Sequence, residues 1–148
     1  MSELRELYQD VIIDHARQPR NFGSLPVFTH HAEGSNPLCG DQLSLELEIE
    51  DKQIKDVKFK GMGCAIFTAS ASLMTQFIKG KTVAQTEKIL QEFIAMVTQS
   101  PTADHADLGK LTILAGVNAY PARVKCATLA WHTLHAALQR QTASVSTE

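Results

Sequence analysis

The chain has no run of about eighteen apolar residues, the length a helix needs to cross a bilayer. Its first residues, Met1-Ser2-Glu3-Leu4-Arg5-Glu6-Leu7, also lack the apolar stretch of a secretory signal, so the expected location is the cytosol, with no membrane partner. Basic runs are missing too. The 14 Lys and Arg are interspersed with 16 Asp and Glu for a formal charge of −2, and without a positive stripe to meet phosphates no nucleic-acid partner is expected. Cysteine is scarce and odd in number: Cys39, Cys64 and Cys126, separated by 25 and 62 positions, with no CxxC pair among them. A disulfide framework needs even numbers and an oxidising compartment, and neither is indicated. The three thiols are therefore either small core hydrophobes or reactive groups, and their neighbours must decide.

What is present suits one domain. A chain of 148 residues, 44% hydrophobic and 20% charged, can bury a core of its own. We expect a single domain over 1–141 and a disordered polar tail over 142–148, with no internal repeat. Leu4, Leu7, Tyr8, Val11, Ile12 and His15 fall at helical spacing behind Ser2, a possible N-cap, and Pro19 should stop that helix. Residues 19–41, rich in Pro, Gly, Asn and His, read as a long ordered loop of the functional kind. Residues 42–50 alternate, with Leu43, Leu45, Leu47 and Ile49 on one face, which is a half-buried strand. Val57 and Phe59 mark an antiparallel partner after a turn at 51–53, and 61–66 reads as a glycine-broken third strand. The second half is helical: 68–79 ending at Gly80, a capping box Thr82/Gln85 opening a helix to about Gln99, a weaker helix 104–118 interrupted by Gly109 and Gly116, and a last helix from Pro121 to about Arg140. The expected fold is α+β, a three-stranded antiparallel sheet packed on one face by helices.

Chemistry concentrates at the cysteines. In Asn36-Pro37-Leu38-Cys39-Gly40-Asp41, a glycine-allowed turn can aim Cys39 and Asp41 at one centre. In Gly61-Met62-Gly63-Cys64, glycines expose a thiol at a strand end. In Arg123-Val124-Lys125-Cys126, two cations and a helix N-terminus favour the thiolate. Three thiolates and a carboxylate suit tetrahedral Zn²⁺, the carboxylate making a more exchangeable site than a fourth sulfur would. Asp41 equally suits a turn residue bonding its own loop, and the spacing alone leaves both roles open.

The segments NPLCGD, GMGCAIFTASASLM and YPARVKCATLAW resemble the NifU-like N-terminal and IscU-type family of iron–sulfur assembly proteins, over roughly residues 4–139. The family's SufE/NifU-like fold, a three-stranded antiparallel sheet with helices, agrees with the pattern above. Two features resemble its zinc-dependent SufU branch in the SUF system. Lys125 stands where the scaffold branch has a ligating His, and a protonated lysine offers no lone pair to a metal. The stretch between Cys64 and Cys126 is also longer by about one helical segment.

The resemblance implies that Cys39, Asp41, Cys64 and Cys126 bind one Zn²⁺. It implies that Cys39 accepts persulfide sulfur from a PLP-dependent, SufS-like cysteine desulfurase, in the manner of thiol–disulfide exchange. Arg123 would steady an anionic persulfide or contact the partner, and sulfur would pass on to a downstream SUF scaffold complex. The chain would then be a sulfurtransferase only in concert with its desulfurase. The alternative is a scaffold holding iron or a transient [2Fe–2S] cluster on the same ligands, and a third reading is a zinc-stabilised interaction module. Phe67 departs from the family pattern, which commonly has a small polar residue there. His30-His31 read as exposed loop residues, and His132 and His135 share a helix face in packing or surface roles.

Overall fold

Alternation along the central strand sets the architecture. The computed structural model describes residues 2–99, 106–140 and 145–146. In β2 (Asp41–Glu50), Asp41, Leu43, Leu45 and Leu47 are buried while the residues between them face outward. β2 pairs antiparallel with β1 (His30–Asn36) on one side and with β3 (Gln53–Met62) on the other. Ile54, Val57 and Phe59 add the inward face of β3. The helices α1 (Ser2–Arg17), α2 (Ala65–Ile78), α3 (Val83–Thr98) and α4 (Pro121–Leu138) complete the α+β fold, together with a 3-10 segment at Ala106–Ala119. α4 lies across β1 and β2 and α2 against β3; α1 packs on α2, and α3 on α4 and the 3-10 segment.

The three-stranded antiparallel sheet is present, but its third strand is not 61–66. β3 runs through Gly61 and stops at Met62, and α2 begins at Ala65. The remaining strand is β1, taken from the expected long loop. It escapes a period-2 reading because its inward residues are Ala32, Gly34 and Asn36 rather than large apolar ones. The reason is closeness: a Cβ on Gly34 would collide with Thr133 Oγ1 of α4 and stand 3.1 Å from Leu129 Cδ1. From the expected disordered tail, Val145–Ser146 forms β4, parallel to Gly34–Ser35; 142–144 and 147–148 lie outside the described residues.

The capping box opens α3 as read: Thr82 Oγ1 accepts from Gln85 N–H (3.1 Å) and Gln85 Oε1 from Thr82 N–H (3.0 Å). Gly80, at φ +89, follows the end of α2, and Pro121 occupies the first turn of α4. The weaker helix is a 3-10 segment kinked at Gly109 (φ 50, ψ −124); it passes Gly116 unbroken, and 104–105 lie outside the described residues. The small run Ala69-Ser70-Ala71-Ser72 of α2 is wholly buried. There Trp131, stacked on Phe93 with centroids 4.3 Å apart, donates its indole N–H to Ser70 Oγ (3.1 Å), which donates to Ala127 O (2.6 Å). Among the described residues no helix is long and apolar enough to cross a membrane.

Three histidines link this packing to pH. His15 Nδ1 lies 2.7 Å from Ser72 Oγ in the α1–α2 seam, His30 Nε2 accepts from Arg140 Nε (3.1 Å), and His132 sits half-buried on α4. Burial, first of all, lowers each below the ordinary 6.5; nearby Arg20, Arg140 and His135 respectively act the same way. The unfolded chain therefore binds protons more readily than the folded one. Stability is full above pH 6.5 and is lost as the pH falls below it. Urea denaturation midpoints should drop between pH 7.5 and pH 5.5, and equal midpoints would show these imidazoles to be neutral bystanders.

Candidate metal centre

The β1–β2 hairpin builds the first half of the site. Asn36 ends β1 and pairs across the turn with Asp41, which begins β2. Asn36 O accepts the N–H groups of Cys39 (3.2 Å) and Gly40 (2.9 Å), so the four residues 37–40 close tightly. Gly40 at φ +75 supplies the left-handed residue that this reversal needs. The result is a half-buried Cys39 on the turn above a fully buried Asp41.

Cys64 arrives from the neighbouring strand. Its backbone N–H donates to Asp41 Oδ1 (3.0 Å), and its Sγ caps α2 by accepting from Phe67 N–H (3.5 Å). Gly63 is required here by closeness. A Cβ would collide with Asp41 Oδ1, and would stand 2.7 Å from Phe67 Cδ2 and 2.9 Å from Asp41 Cγ. Phe67 is fully buried and packs beside this contact. Cys126 comes from the first turns of α4 and is fully buried, with its thiol directed at Ala122 O (3.7 Å).

These elements bring Cys39 Sγ, a carboxylate oxygen of Asp41 and Cys126 Sγ within 4.8 Å of one another. Cys64 borders this set without being one of the three, and its side chain reaches Cys126. Burial pushes the Cys126 thiol well above its ordinary range, and the surrounding Cys39, Asp41 and Cys64 side chains push it further. Ionising the buried Cys126 beside these neighbours is unfavourable without a nearby positive charge. A divalent ion removes that conflict, and soft thiolates with one carboxylate fit Zn²⁺ or iron. Arg123 lies exposed at the rim. The neighbouring Cys126, and then the Cys64 and Cys39 side chains, push its pKa up from the ordinary value.

The other sequence candidates stay apart from the centre. His30 faces Thr29 and Arg140, and the His31 ring lies 5.9 Å from that of Phe28. His135 Nδ1 lies 3.6 Å from Glu87, a carboxylate that α3 supplies from far along the chain. Asn36 carries more than its place in NPLCGD suggested. Its side-chain N–H groups face Asp41 Oδ2 (3.3 Å) and Cys126 Sγ (3.7 Å). The signal in the sequence, an Asn before Pro, reads only as a turn.

Comparison with known proteins adds an independent line. The family described as "NifU-like N terminal domain" matches residues 7–127. The chain is 39% identical to the "Zinc-dependent sulfurtransferase SufU" of Bacillus subtilis (strain 168), covering 95% of each chain. It is 37% identical to the "Iron-sulfur cluster assembly scaffold protein IscU" of Streptococcus pyogenes serotype M1, covering 95% of this chain and 87% of the other. Among solved structures it is similar to a candidate iron–sulfur cluster assembly scaffold protein for the SUF system from Fervidobacterium islandicum AW-1. The TM-score there is 0.82 at 34% identity, covering 87% of this chain and 94% of that one.

The tight contact between Gly63 and Asp41 makes the carboxylate testable without replacing Asp41 or any cysteine. Gly63→Ala should displace Asp41 and weaken Zn²⁺ binding by roughly 10- to 100-fold, the usual scale for disturbing a ligand's support. Competition against a chromophoric chelator reads this directly. Unchanged affinity in a variant whose circular dichroism is native would remove Asp41 from the ligand set.

Proposed function

The chain belongs to the NifU-like N-terminal domain family, and from that premise we propose that it serves iron–sulfur cluster assembly in a SUF-type system as a zinc-dependent sulfur acceptor. Cys39 takes sulfane sulfur from a SufS-like cysteine desulfurase, and Cys39, Asp41, Cys64 and Cys126 are the ligands of one Zn²⁺. The observation that carries this reading is the difference among the sulfurs. Cys126 is sealed in the core, while Cys39, within 4.8 Å of it, is half-buried on a surface turn. A purely structural site has no need of a ligand that reaches solvent.

Bound Zn²⁺ would keep the thiols as thiolates near neutral pH. The Cys39 thiolate attacks the terminal sulfur of the desulfurase's cysteine persulfide. A new S–S bond forms at Cys39, the partner's S–S bond breaks, and the partner cysteine leaves as a thiolate. Electrons balance within the exchange, so no outside oxidant or reductant is needed. Arg123, exposed on the first turn of α4 and electrostatically linked to Cys126, Cys64 and Cys39, steadies the anionic persulfide that results. Asp41 stays where the Cys64 amide and Asn36 hold it.

The approach of a protein partner is supported by the rim. Leu38 beside Cys39, Met62 two residues before Cys64, and Tyr120 at the start of α4 are large apolar residues 68%, 68% and 65% exposed. Covering them would exclude water from the reacting sulfurs, and a downstream SUF scaffold complex receiving the sulfur would meet the same surface. The scaffold reading, iron or a [2Fe–2S] cluster on the same ligands, is favoured by the likeness to the Streptococcus scaffold protein. Lys125 weighs against it, because no imidazole stands next to Cys126.

Desulfurase turnover, followed as alanine released from cysteine, separates the readings. Zinc-loaded wild type should stimulate it at least tenfold, and Cys39→Ala should abolish the stimulation. A wild type that leaves turnover unchanged would overturn sulfur acceptance and direct attention to anaerobic cluster reconstitution.

A further inference from the structure

We propose that Asn36 is a positioning residue that clamps Asp41 and Cys126 onto the metal centre, so that Cys39 is the ligand left able to exchange. The inference rests on the reading that these side chains hold a cation, and it assigns a role to a residue outside the ligand set. Asn36 is fully buried at the end of β1, opposite Asp41. Its amide nitrogen carries two hydrogens and faces two acceptors from different elements: Asp41 Oδ2 on β2 at 3.3 Å and Cys126 Sγ on α4 at 3.7 Å. A primary amide nitrogen donates only, and both partners are acceptors when they ligate a metal. Turned over, the amide would aim its carbonyl oxygen at a carboxylate and a sulfur.

The other end of the side chain marks how strongly this orientation is imposed. Asn36 Oδ1 is buried and has no hydrogen-bond partner among the described residues. A buried orphan acceptor is costly, and it persists where the surrounding structure determines the group for another purpose. That purpose lies on the nitrogen side. The Asn36 backbone carbonyl meanwhile accepts the Cys39 and Gly40 N–H groups. One residue thus shapes the turn that presents Cys39 while tying the two buried ligands from beneath.

The ligands consequently differ in how they are held. Asp41 is fixed by Asn36 and by the Cys64 amide, Cys126 by Asn36 and the interior of α4, and Cys64 by its cap on α2. Cys39 is half-buried and is tied to Asn36 through its own backbone N–H, on a turn. Removing the Asn36 donors should narrow the distinction between Cys39 and Cys126, to which the burial of Cys126 also contributes, while leaving all four proposed ligands in the chain.

The test uses the full chain loaded with Zn²⁺ or ¹¹³Cd²⁺. In zinc-loaded wild type, iodoacetamide should modify Cys39 at least tenfold faster than Cys126, read by peptide mass spectrometry. Asn36→Leu removes the donors, and Asn36→Asp keeps the shape while replacing the donors with a carboxylate. Each should narrow the gap between the two rates and speed zinc release to a chelator by about 10- to 100-fold. A further measurement needs no variant: in ¹¹³Cd-loaded wild type the Asn36 side-chain amide protons should shift downfield, and one should show scalar coupling to cadmium across the N–H···S hydrogen bond. Amide signals unmoved by metal, or wild-type selectivity and release rates in both folded variants, would overturn the clamp while leaving the centre intact. A wild type that fails to bind Zn²⁺ in the chelator competition would instead bring down the metal reading, and the clamp with it.

Discussion

Everything at the functional end of this molecule depends on the burial of Asp41 beside sulfur. A carboxylate removed from water loses several kcal/mol of solvation unless it is paired or well hydrogen-bonded. Among the described residues its hydrogen-bond donors are the Cys64 amide and the Asn36 side chain. A thiol that burial and its neighbours hold protonated stands within 4.8 Å. Such an arrangement is unfavourable by itself and favourable around a divalent ion, whose charge turns the same crowding into coordination. The centre is thus understandable as one built for an ion. Its ligands come from elements that the fold brings together by other means.

Those means are packing at close range. Gly34 lets α4 settle onto β1, and Gly63 lets the link between β3 and α2 pass against Asp41. Each omitted side chain brings two elements nearer, and each approach places one cysteine of the centre. With α4 seated, Cys126 comes from beneath to meet the hairpin; with the Gly63 link in place, Cys64 caps α2 and lends its amide to Asp41. The stacked Trp131–Phe93 pair and the Ser70 hydrogen-bond chain then lock α4 against α2 and α3. A shift of the helix by a fraction of an ångström would be transmitted to the sulfur, because a close-packed interior has few voids to absorb it.

The sequence disclosed the parts governed by local rules. Leu43, Leu45 and Leu47 alternate because β2 has one wet face, and Thr82 with Gln85 marks a helix start because that reciprocal bond is local. It concealed the parts governed by tertiary closeness. β1 reads as loop because the helix above it admits only Ala32, Gly34 and Asn36 on the inner face. Residues 61–66 read as a strand because apolar residues flank a glycine, whereas Cys64 ends the strand by capping the next helix with sulfur, outside the usual set of N-cap residues. At the site, the three cysteine segments stood out from their neighbours, whereas Arg123 taken alone read as a solvated charge on the first turn of a helix. Asn36 was not, since nothing in an Asn-Pro pair announces a buried side chain that bridges a strand and a helix. The partners of His30 and His135 were equally hidden, as Arg140 and Glu87 lie far away along the chain.

The distribution of exposure across the centre bears on why a metal site would be built so unevenly. A closed structural site gains from four equivalent, buried ligands, because any opening invites loss or oxidation of the metal. A site that must trade sulfur with another protein needs one accessible thiolate and a remainder that survives its departure. Cys126 and Asp41 are sealed in the core, Cys64 is occupied in capping α2, and Cys39 stands on a four-residue turn between exposed Leu38 and Gly40. The packed layers hold Asp41 and Cys126, and a short turn presents Cys39. The hydrogen bonds that close this turn run to the backbone carbonyl of Asn36, so the exposed and the buried halves of the centre meet at one residue.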